Sequence, residues 1–443
     1  MSIHYSLTKT MANDDLNAQE NSGFLALMRK EGVNDPFAYA MTRNTMHFAN
    51  SKVQKSTTKQ IGTSDVQTFE IHRSGVLKEL WLEFTATGAA DTGTLAPFCP
   101  LALFSRFELR TRDRTIATLY PETIIDWYNS QSAFTQEMLG KPNVLSAYER
   151  AANLTTPEVF RVPLPFSYIA DMRQSFFTKF TEPMEVHVYS ASTSVGACTT
   201  STIAMSNASV KQLFAIPHPS SEARIVEELR KVNNNQGPAK LQWSVYKEAD
   251  ATLSSGGNEV TIDVKCPYPA WRTVIVSLPA AHVSGSDPGH RFTGNSTTAL
   301  GSPSTVAVLS SGQETLELDR PEMQIINARA KIAQWPADSS ASTRIVEYGL
   351  LGSAAADSAM NFTVLQWSEL SNVYRDVPEG AVFEKSGLTQ CTAKPWKHLS
   401  NSQIKLSYSG NVSEDITIKV FHYYHQITQV SADNGQIVNT VLF

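Results

Sequence analysis

The sequence predicts a mainly β protein with two consecutive β-sandwich domains and an N-terminal helical arm. In many short segments, apolar residues alternate with polar ones at period two, and residues typical of turns separate these segments. Pro163 and Pro165 exclude a regular helix and indicate a strand that runs out to a sheet edge. The 443 residues exceed one ordinary core and suit two domains of about 150 to 200 residues each.

Composition and charge narrow the classes of function. Charged residues make up 18% of the chain, against roughly 25% in typical soluble domains. A surface low in charge is expected of a protein that buries much of its exterior against copies of itself. The net charge of −5 indicates no overall attraction to nucleic acid, so we expect no sequence-specific nucleic-acid binding. No apolar run in the sequence reaches the ~18 residues of a membrane span.

The cysteines carry no disulfide or metal signature. They are widely spaced, without a CxxC pair or a Cys/His cluster: Cys99, Cys198, Cys266 and Cys391. We interpret them as buried small apolar residues of a chain folded in a reducing compartment.

Residues 1–64 are predicted to form an arm with short helices. Ser22 can cap a first amphipathic helix that Gly32 ends, and Asp35 with Pro36 can begin a second one. A polar stretch from residue 50 to residue 64 then leads to the first strand. Two interpretations stay open: the arm packs on its own domain, or it extends to neighbouring molecules or a membrane.

Residues 65–219 are predicted to form the first β domain. On the strand from residue 76 to residue 85, Leu80, Leu82 and Phe84 share one face, whereas Trp81 and Glu83 share the other. The predicted strands are Val66–Arg73, Val76–Thr85, Phe104–Arg110, Phe160–Phe166 and Met184–Tyr189. An apolar helix interrupts them and is expected to pack on a sheet flank. It opens at Pro121-Glu122 and carries Ile124, Ile125, Trp127, Tyr128 and Phe134.

A linker and a second β domain follow. Residues 220–238 are predicted as a short helix and a turn, and residues 239–443 as a second sandwich, with no detectable sequence identity between the halves. Its predicted strands are Leu241–Val245, Val260–Cys266, Thr273–Leu278, Leu316–Leu318, Phe362–Trp367, Ile404–Tyr408 and Ile416–Tyr424. Residues 280–312 are rich in Gly, Ser, Thr and Pro and too long for an ordinary connection, so they are predicted as a surface loop.

No motif in the sequence points to catalysis, a cofactor or a metal. His422 and His425 fall on opposite faces of a strand, which is poor geometry for a shared metal. Several charged residues are interpreted as structural or solvated: Asp126, Asp171, Glu227 and Glu228. A basic run is interpreted as the wet side of a strand and its turn, or as a contact for an anionic partner. It consists of Arg106, Arg110, Arg112 and Arg114.

Four features follow each other in a particular order. The arm precedes two β domains of similar size, and a helix with Trp127 follows the strand Phe104–Arg110. Next comes the unit Phe160–Tyr189, with its "PLPF" strand, and at the end the strand Ile418–Ile427 with its closing turn. In this order and spacing the chain resembles the double jelly-roll major capsid proteins of tailless icosahedral DNA viruses.

The resemblance implies a fold of two jelly rolls and a structural role without catalysis. It implies a homotrimer that forms a pseudo-hexagonal capsomer, and capsomers that tile an icosahedral shell. The implied partners are neighbouring capsomers and minor or penton capsid proteins, and an internal membrane is a further candidate partner of the arm. The implied location is the virion, after synthesis in the host-cell cytoplasm.

Two alternatives of the same architecture stay open. A double jelly-roll glycan-binding protein or glycopeptide amidase would need an open groove at the domain boundary. Four tryptophans could line it: Trp243, Trp335, Trp367 and Trp396. A viral scaffold or spike protein of the same lineage would share the fold.

Overall fold

The computed structural model describes residues 48–88, 94–95, 98–129, 131, 133–147, 150–151, 156–167, 178–191, 203–219, 222, 236–279, 303–310, 313–319, 322, 362–367, 399, 401–431 and 437–441. The helices predicted before residue 48 and most of the predicted linker at 220–238 lie outside these residues.

The first sandwich consists of two antiparallel sheets. Its strands are β1 (Phe48–Lys55), β2 (Lys59–Ile61), β3 (Val66–Glu70), β4 (Val76–Gly88), β5 (Thr94–Leu95), β6 (Phe104–Thr111), β7 (Thr115–Leu119), β8 (Arg150–Ala151), β9 (Glu158–Pro163), β10 (Met184–Ser190) and β11 (Ile203–Pro217). Sheet 1 has the order β1-β11-β4-β9, with β2 also paired to β11, and sheet 2 has the order β3-β10-β6-β7. The short strands β5 and β8 pair with each other.

The second sandwich is built in the same way. Its strands are β12 (Gln236–Lys247), β13 (Ala251–Leu253), β14 (Glu259–Asp263), β15 (Ala270–Pro279), β16 (Thr305–Ser310), β17 (Gln313–Asp319), β18 (Phe362–Gln366), β19 (Ser402–Ser407), β20 (Ile416–Ser431) and β21 (Ile437–Val441). Sheet 3 has the order β12-β20-β15-β18, with β13 and β21 also paired to β20, and sheet 4 has the order β14-β19-β16-β17.

The two sandwiches therefore repeat one topology. In sheet 3, β12, β20, β15 and β18 take the places of β1, β11, β4 and β9 in sheet 1. In sheet 4, β14, β19, β16 and β17 take the places of β3, β10, β6 and β7 in sheet 2. A non-sequential antiparallel order of this kind is that of a jelly roll, so the predicted fold class, a double jelly roll, is confirmed.

The helices whose bounds the structure describes lie in the first sandwich. They are α1 (Cys99–Ala102), α2 (Pro121–Asn129), α3 (Ala133–Leu139) and a 3₁₀ turn (Thr178–Phe180). The amide of Ile124 donates to the carbonyl of Tyr120 at 3.0 Å, so Pro121 occupies the first helical position, where its missing N–H is harmless. The predicted helix at Pro121 is confirmed but ends earlier than expected, because Phe134 belongs to α3.

The period-two pattern correctly predicts which side chains of β4 face the core of the first sandwich. Leu80, Leu82 and Phe84 of β4 are at most 2% exposed, whereas Trp81 and Glu83 lie on the opposite face. Burying large apolar side chains between two sheets is the main favourable contribution to such a fold.

Part of the predicted arm belongs to the first sandwich. The polar stretch from residue 50 to residue 64 contains β1 and β2, so the sandwich begins at Phe48 and not at residue 65. Among the described strands, β1 lies at the edge of sheet 1 and pairs with β11, and Val53 on it is 64% exposed. An edge strand keeps polar side chains in water, which is why the stretch resembles a linker.

Several further strands were not predicted, among them β11 and β16. β11, in the interior of sheet 1, loses its alternation at a bulge between Ser206 and Ser209, where Asn207 has a φ of 52°. β16 lies within residues 280–312, which were predicted as a surface loop. That prediction is wrong for Thr305–Ser310, because Val306 and Val308 on this strand are each 1% exposed. Residues 280–302 of that predicted loop lie outside the described residues.

Candidate functional site

Sheet 3 is covered by apolar residues on both faces. On β15, Ile275 joins the core of the second sandwich, whereas Val274 and Val276 join a cluster that continues into the first sandwich. On β20, Val420 and Phe421 divide in the same way. The strand predicted at 273–278 thus has a core on either side.

The first sandwich contacts the outer face of sheet 3 through α2 and its neighbours. The ring of Tyr120, just before α2, lies 5.3 Å from the ring of Phe421. The hydroxyl of Ser167, beyond β9, donates to the carbonyl of Trp243 at 2.8 Å. The two sandwiches are therefore joined side by side through an interface with polar bonds at its margins.

Two ion pairs cross this interface. The carboxylate of Asp126 on α2 binds the guanidinium of Arg272 on β15, and their side chains are 0% and 4% exposed. One turn earlier on α2, Glu122 Oε1 accepts from Lys419 Nζ at 2.7 Å. The structural role expected for Asp126 thus has a physical basis, but the sequence shows no partner for it.

The core of the second sandwich holds a buried polar network. His422 Nδ1 lies 2.8 Å from the hydroxyl of Thr273, which accepts from Trp367 Nε1 at 2.7 Å. His422 Nε2 lies 3.5 Å from Glu248 Oε1. A hydroxyl, an imidazole and a carboxylate in this order resemble a catalytic triad. Thr273 and His422 are both 0% exposed, however, so a substrate has no access to them and we infer a structural role for the network.

Glu248 stays charged in this network because it has several donors. The amides of Lys265 and Cys266 donate to its Oε1 at 2.9 Å and 2.8 Å. Burial raises the pKa of Glu248, but His422 and the two amides outweigh burial and hold that pKa below its ordinary value.

The outer face of sheet 1 carries one carboxylate surrounded by cations. Glu83 on β4 accepts from Arg161 Nε at 2.9 Å, lies 3.5 Å from Lys55 Nζ and contacts Lys211. Burial raises the pKa of Glu83, but Lys211 and Arg161 outweigh it and lower the pKa. The side chains of Lys55 and Arg161 remain 46% and 47% exposed, so this cluster carries a positive excess that faces water.

A cavity of about 500 Å³ adjoins this cluster. It lies between β4, the end of β9 and the helices α2 and α3. Its described lining consists of Lys78, Glu79, Leu80, Trp81, Trp127, Thr135, Leu139, Pro163, Leu164 and Pro165. Together with the exposed Val53, this apolar and charged face has the properties of a contact surface for another protein.

The basic run noted in the sequence is partly neutralised. Arg106 Nε lies 2.7 Å from Glu108 Oε1, and the Arg106 guanidinium sits 3.8 Å from the ring centre of Tyr189. Arg114 lies 3.9 Å from Glu182. This arrangement agrees with the interpretation of these arginines as the solvent-exposed side of β6 and its turn. The other charged candidates lie outside the described side chains: Asp171, Glu227, Glu228 and His425.

The structure describes two of the four tryptophans considered for a groove and two of the four cysteines, and all four of these side chains are buried. Trp243 and Trp367 are 3% and 2% exposed, so neither lines an open groove. Cys99 and Cys266 are buried free thiols, and burial raises the pKa of Cys266 to about 12. The remaining residues of both sets lie outside the described part: Trp335, Trp396, Cys198 and Cys391.

Among the described residues, no group of three or more His, Cys, Asp or Glu side chains could hold a metal ion. None of the helices described there has the length and apolar character needed to cross a bilayer.

The chain is similar in structure to capsid proteins of several viruses. It aligns with a chain of the PBCV-1 virus capsid over 90% of its own length and 98% of that chain, with a TM-score of 0.61 and 10% identity. For the Faustovirus major capsid protein the shares are 94% and 98%, the TM-score 0.53 and the identity 10%. For the mavirus major capsid protein they are 92% and 95%, 0.50 and 10%.

Sequence comparison adds no relative to these structures. No family model matches the chain, and no curated protein matches it. At such low identity the structural likeness shows a common fold, the double jelly roll.

Proposed function

We propose that this chain is a major capsid protein, a structural building block without catalytic, cofactor-binding or metal-binding residues. The observation that carries the proposal is the fusion of two jelly rolls of one topology, in a fold that aligns over nearly the full length of viral capsid chains. The two jelly rolls are joined by a buried interface with ion pairs, which suits a rigid unit of assembly.

The proposed assembly is a trimer with a pseudo-hexagonal outline. Each copy supplies two similar sandwiches side by side, so three copies can close a ring of six similar units by head-to-tail contacts. Such capsomers would tile an icosahedral shell. The proposed partners are therefore copies of the chain, neighbouring capsomers, and minor or penton capsid proteins.

The proposal also assigns a role to the N-terminal arm and a location to the protein. Residues 1–47, which precede β1, would contact neighbouring subunits or an internal membrane. The protein would be made in the host-cell cytoplasm and reside in the virion. Specific recognition of nucleic acid is not part of the proposed role, since the net charge is −5.

The alternative of a glycan-binding protein or amidase has no specific support in the described residues. It requires aromatic and acidic side chains that converge on an open groove at the domain boundary. There, Trp243 is buried and Asp126 is bound to Arg272. A scaffold or spike protein of the same fold would differ from a capsid protein in its place in the virion, not in its architecture.

The proposal is tested by the solution mass and outline of the purified full-length chain. Light scattering should give three times the chain mass of 48.7 kDa, and negative-stain images of that species should show six-sided particles. A chain that stays a compact monomer, also when it is co-expressed with chaperones, and that turns over a glycan or peptide substrate would contradict the proposal.

A further inference from the structure

Sheets 1 and 3 occupy the same place in the two sandwiches, but their outer faces differ in burial. Val53 pairs with Leu213 in sheet 1, as Val245 pairs with Tyr423 in sheet 3. Val245 is 7% exposed because the first sandwich covers it, whereas Val53 is 64% exposed. The same position is thus a buried contact in one sandwich and an open surface in the other.

Backbone bonds fix this correspondence. The amide of Ser56 donates to Val210 at 3.0 Å just after β1 ends, and the amide of Glu248 donates to Val420 at 2.9 Å just after β12 ends. Each bond lies three positions beyond the matched valine of its strand. The matching of β1 with β12 and of β11 with β20 therefore holds residue by residue here.

The element that covers sheet 3 has a counterpart after β17. α2 follows β7 and begins with Pro121-Glu122, and β17, which corresponds to β7, is followed by Pro321-Glu322. The amide of Glu322 donates to Asp319 Oδ1 at 2.8 Å, and the amide of Asp319 donates to Glu322 Oε2 at 3.0 Å. These reciprocal bonds form a capping box, which marks the start of a helix.

The sequences after these two starts are also related. Pro121-Glu122 is followed by Thr123-Ile124-Ile125-Asp126, and Pro321-Glu322 is followed by Met323-Gln324-Ile325-Ile326-Asn327. Both segments place two isoleucines and then an aspartate or asparagine shortly after the Pro-Glu pair, with one additional residue before the isoleucines in the segment after β17. That segment therefore shares the Pro-Glu start and the isoleucine pair of α2, but not its exact spacing.

The charges at the matching positions are compatible with the same mode of docking. Arg272 opposes Tyr423 in sheet 3 and binds Asp126 of α2, whereas Glu79 opposes Leu213 in sheet 1. An aspartate brought to Glu79 would be repelled. Counted from the Pro-Glu pair, the position of Asp126 is taken by the neutral Ile326 in the segment after β17, and the neutral Asn327 follows it. Glu79 also lines the cavity at Trp81, so the cavity lies where α2 docks in the matching sheet.

From these relationships we propose that the outer face of sheet 1 is the docking surface for a second copy of this chain. The segment of that copy that starts at Asp319–Glu322 enters the Trp81 cavity. Within one chain, sheet 3 of the second sandwich packs against α2 of the first sandwich. The same contact, repeated at the outer face of sheet 1, therefore adds another copy of the chain. This inference rests on the proposed trimer and specifies which surfaces meet in it.

Site-specific photo-crosslinking tests the docking surface directly. Trp81→p-benzoylphenylalanine places a photoreactive group in the cavity, and the same substitution of Lys405 on sheet 4 serves as the control. Light-isotope and heavy-isotope chains are mixed during assembly, so that crosslinks between copies are distinguished from crosslinks within one copy by mass.

The expected result at Trp81 is a crosslink between copies to the peptides that begin at β17. A trimer whose Trp81 crosslinks lie only within one chain, or reach the first sandwich of the other copy, would overturn this inference and leave the proposed trimer standing. A chain that never associates would overturn both.

A charge introduced at Val53 gives a second test that does not touch the core. Val53→Asp would place a carboxylate in the desolvated contact and should raise the protein concentration at which half of the assembly is dissociated by about tenfold or more. Val66→Asp is the matched control, because Val66 is a 46% exposed strand valine on sheet 2, outside the proposed contact. Equal dissociation of the two variants would overturn the inference, provided that both retain the melting temperature of the unmodified monomer.

Discussion

Asp126 of α2 and Arg272 of β15 lie 146 positions apart in the chain and form an ion pair buried between the two sandwiches. Two charges are removed from water here, so each depends on the other for compensation. The pair sets how α2 meets sheet 3 and hence how the two jelly rolls are placed side by side.

Removal of one partner should therefore be strongly destabilising. We expect Asp126→Leu to lower the free energy of unfolding by about 3 to 5 kcal/mol, because a buried guanidinium loses its counter-ion. The measurement is urea unfolding followed by tryptophan fluorescence. Lys405→Ala, which removes the exposed pair with Glu259 at 3.2 Å, should change stability by about 1 kcal/mol or less.

The double variant Asp126→Leu, Arg272→Met separates the charge from the packing. Replacing both ions by apolar side chains should recover most of the loss. If the double variant were as unstable as Asp126→Leu alone, packing around α2, and not the unpaired charge, would explain the loss.

Glu248 should make the stability depend on pH in the acid range. Its pKa is lower in the folded protein than in the unfolded chain, so its contribution is present above the unfolded pKa and disappears as the pH falls through the folded pKa. We expect the melting temperature to fall less steeply in Glu248→Gln than in the unmodified protein below about pH 5. If the melting temperatures of the two proteins fell equally with pH, the assignment of this pH dependence to Glu248 would be contradicted.

Gly75 lies where the backbone leaves no room for a side chain. A Cβ at Gly75 would lie 2.5 Å from the carbonyl oxygen of Ala215, and the hydroxyl of Thr178 donates to the Gly75 carbonyl at 2.8 Å. We expect Gly75→Ala to destabilise the first sandwich by about 1 to 3 kcal/mol, as overpacking does. Gly62→Ala is the control, since its nearest neighbour would be 3.8 Å away, and thermal unfolding compares the two.

The thiol of Cys266 should be unreactive until the protein unfolds. Burial raises its pKa to about 12, so almost no thiolate forms near pH 8, and the side chain is 0% exposed. In a variant whose other cysteines are replaced by serine, a thiol reagent should label Cys266 only in denaturant. Rapid labelling of the folded variant would show that the second sandwich opens locally.

The sequence predicted the strands where each residue's surroundings follow a local pattern. On β4 the alternation of Leu80, Leu82 and Phe84 with Trp81 gave the buried and outer faces correctly. It failed where tertiary position overrides the pattern: β1 is polar because it lies at an edge, and β11 has a bulge. The Pro-Glu signal shared by residues 121–122 and 321–322 was present in the sequence, but only the matched topology gives it a meaning.

The sequence by itself determined the two-sandwich architecture and the faces of many strands, because hydrophobic periodicity records whether a side chain meets water or core. The tertiary structure decided which surfaces meet. That Asp126 finds Arg272, that Val245 is covered while Val53 is open, and that β15 has a core on both faces depend on contacts between distant segments. Local patterns do not encode such contacts, since many partners satisfy the same burial and only the packed fold selects one.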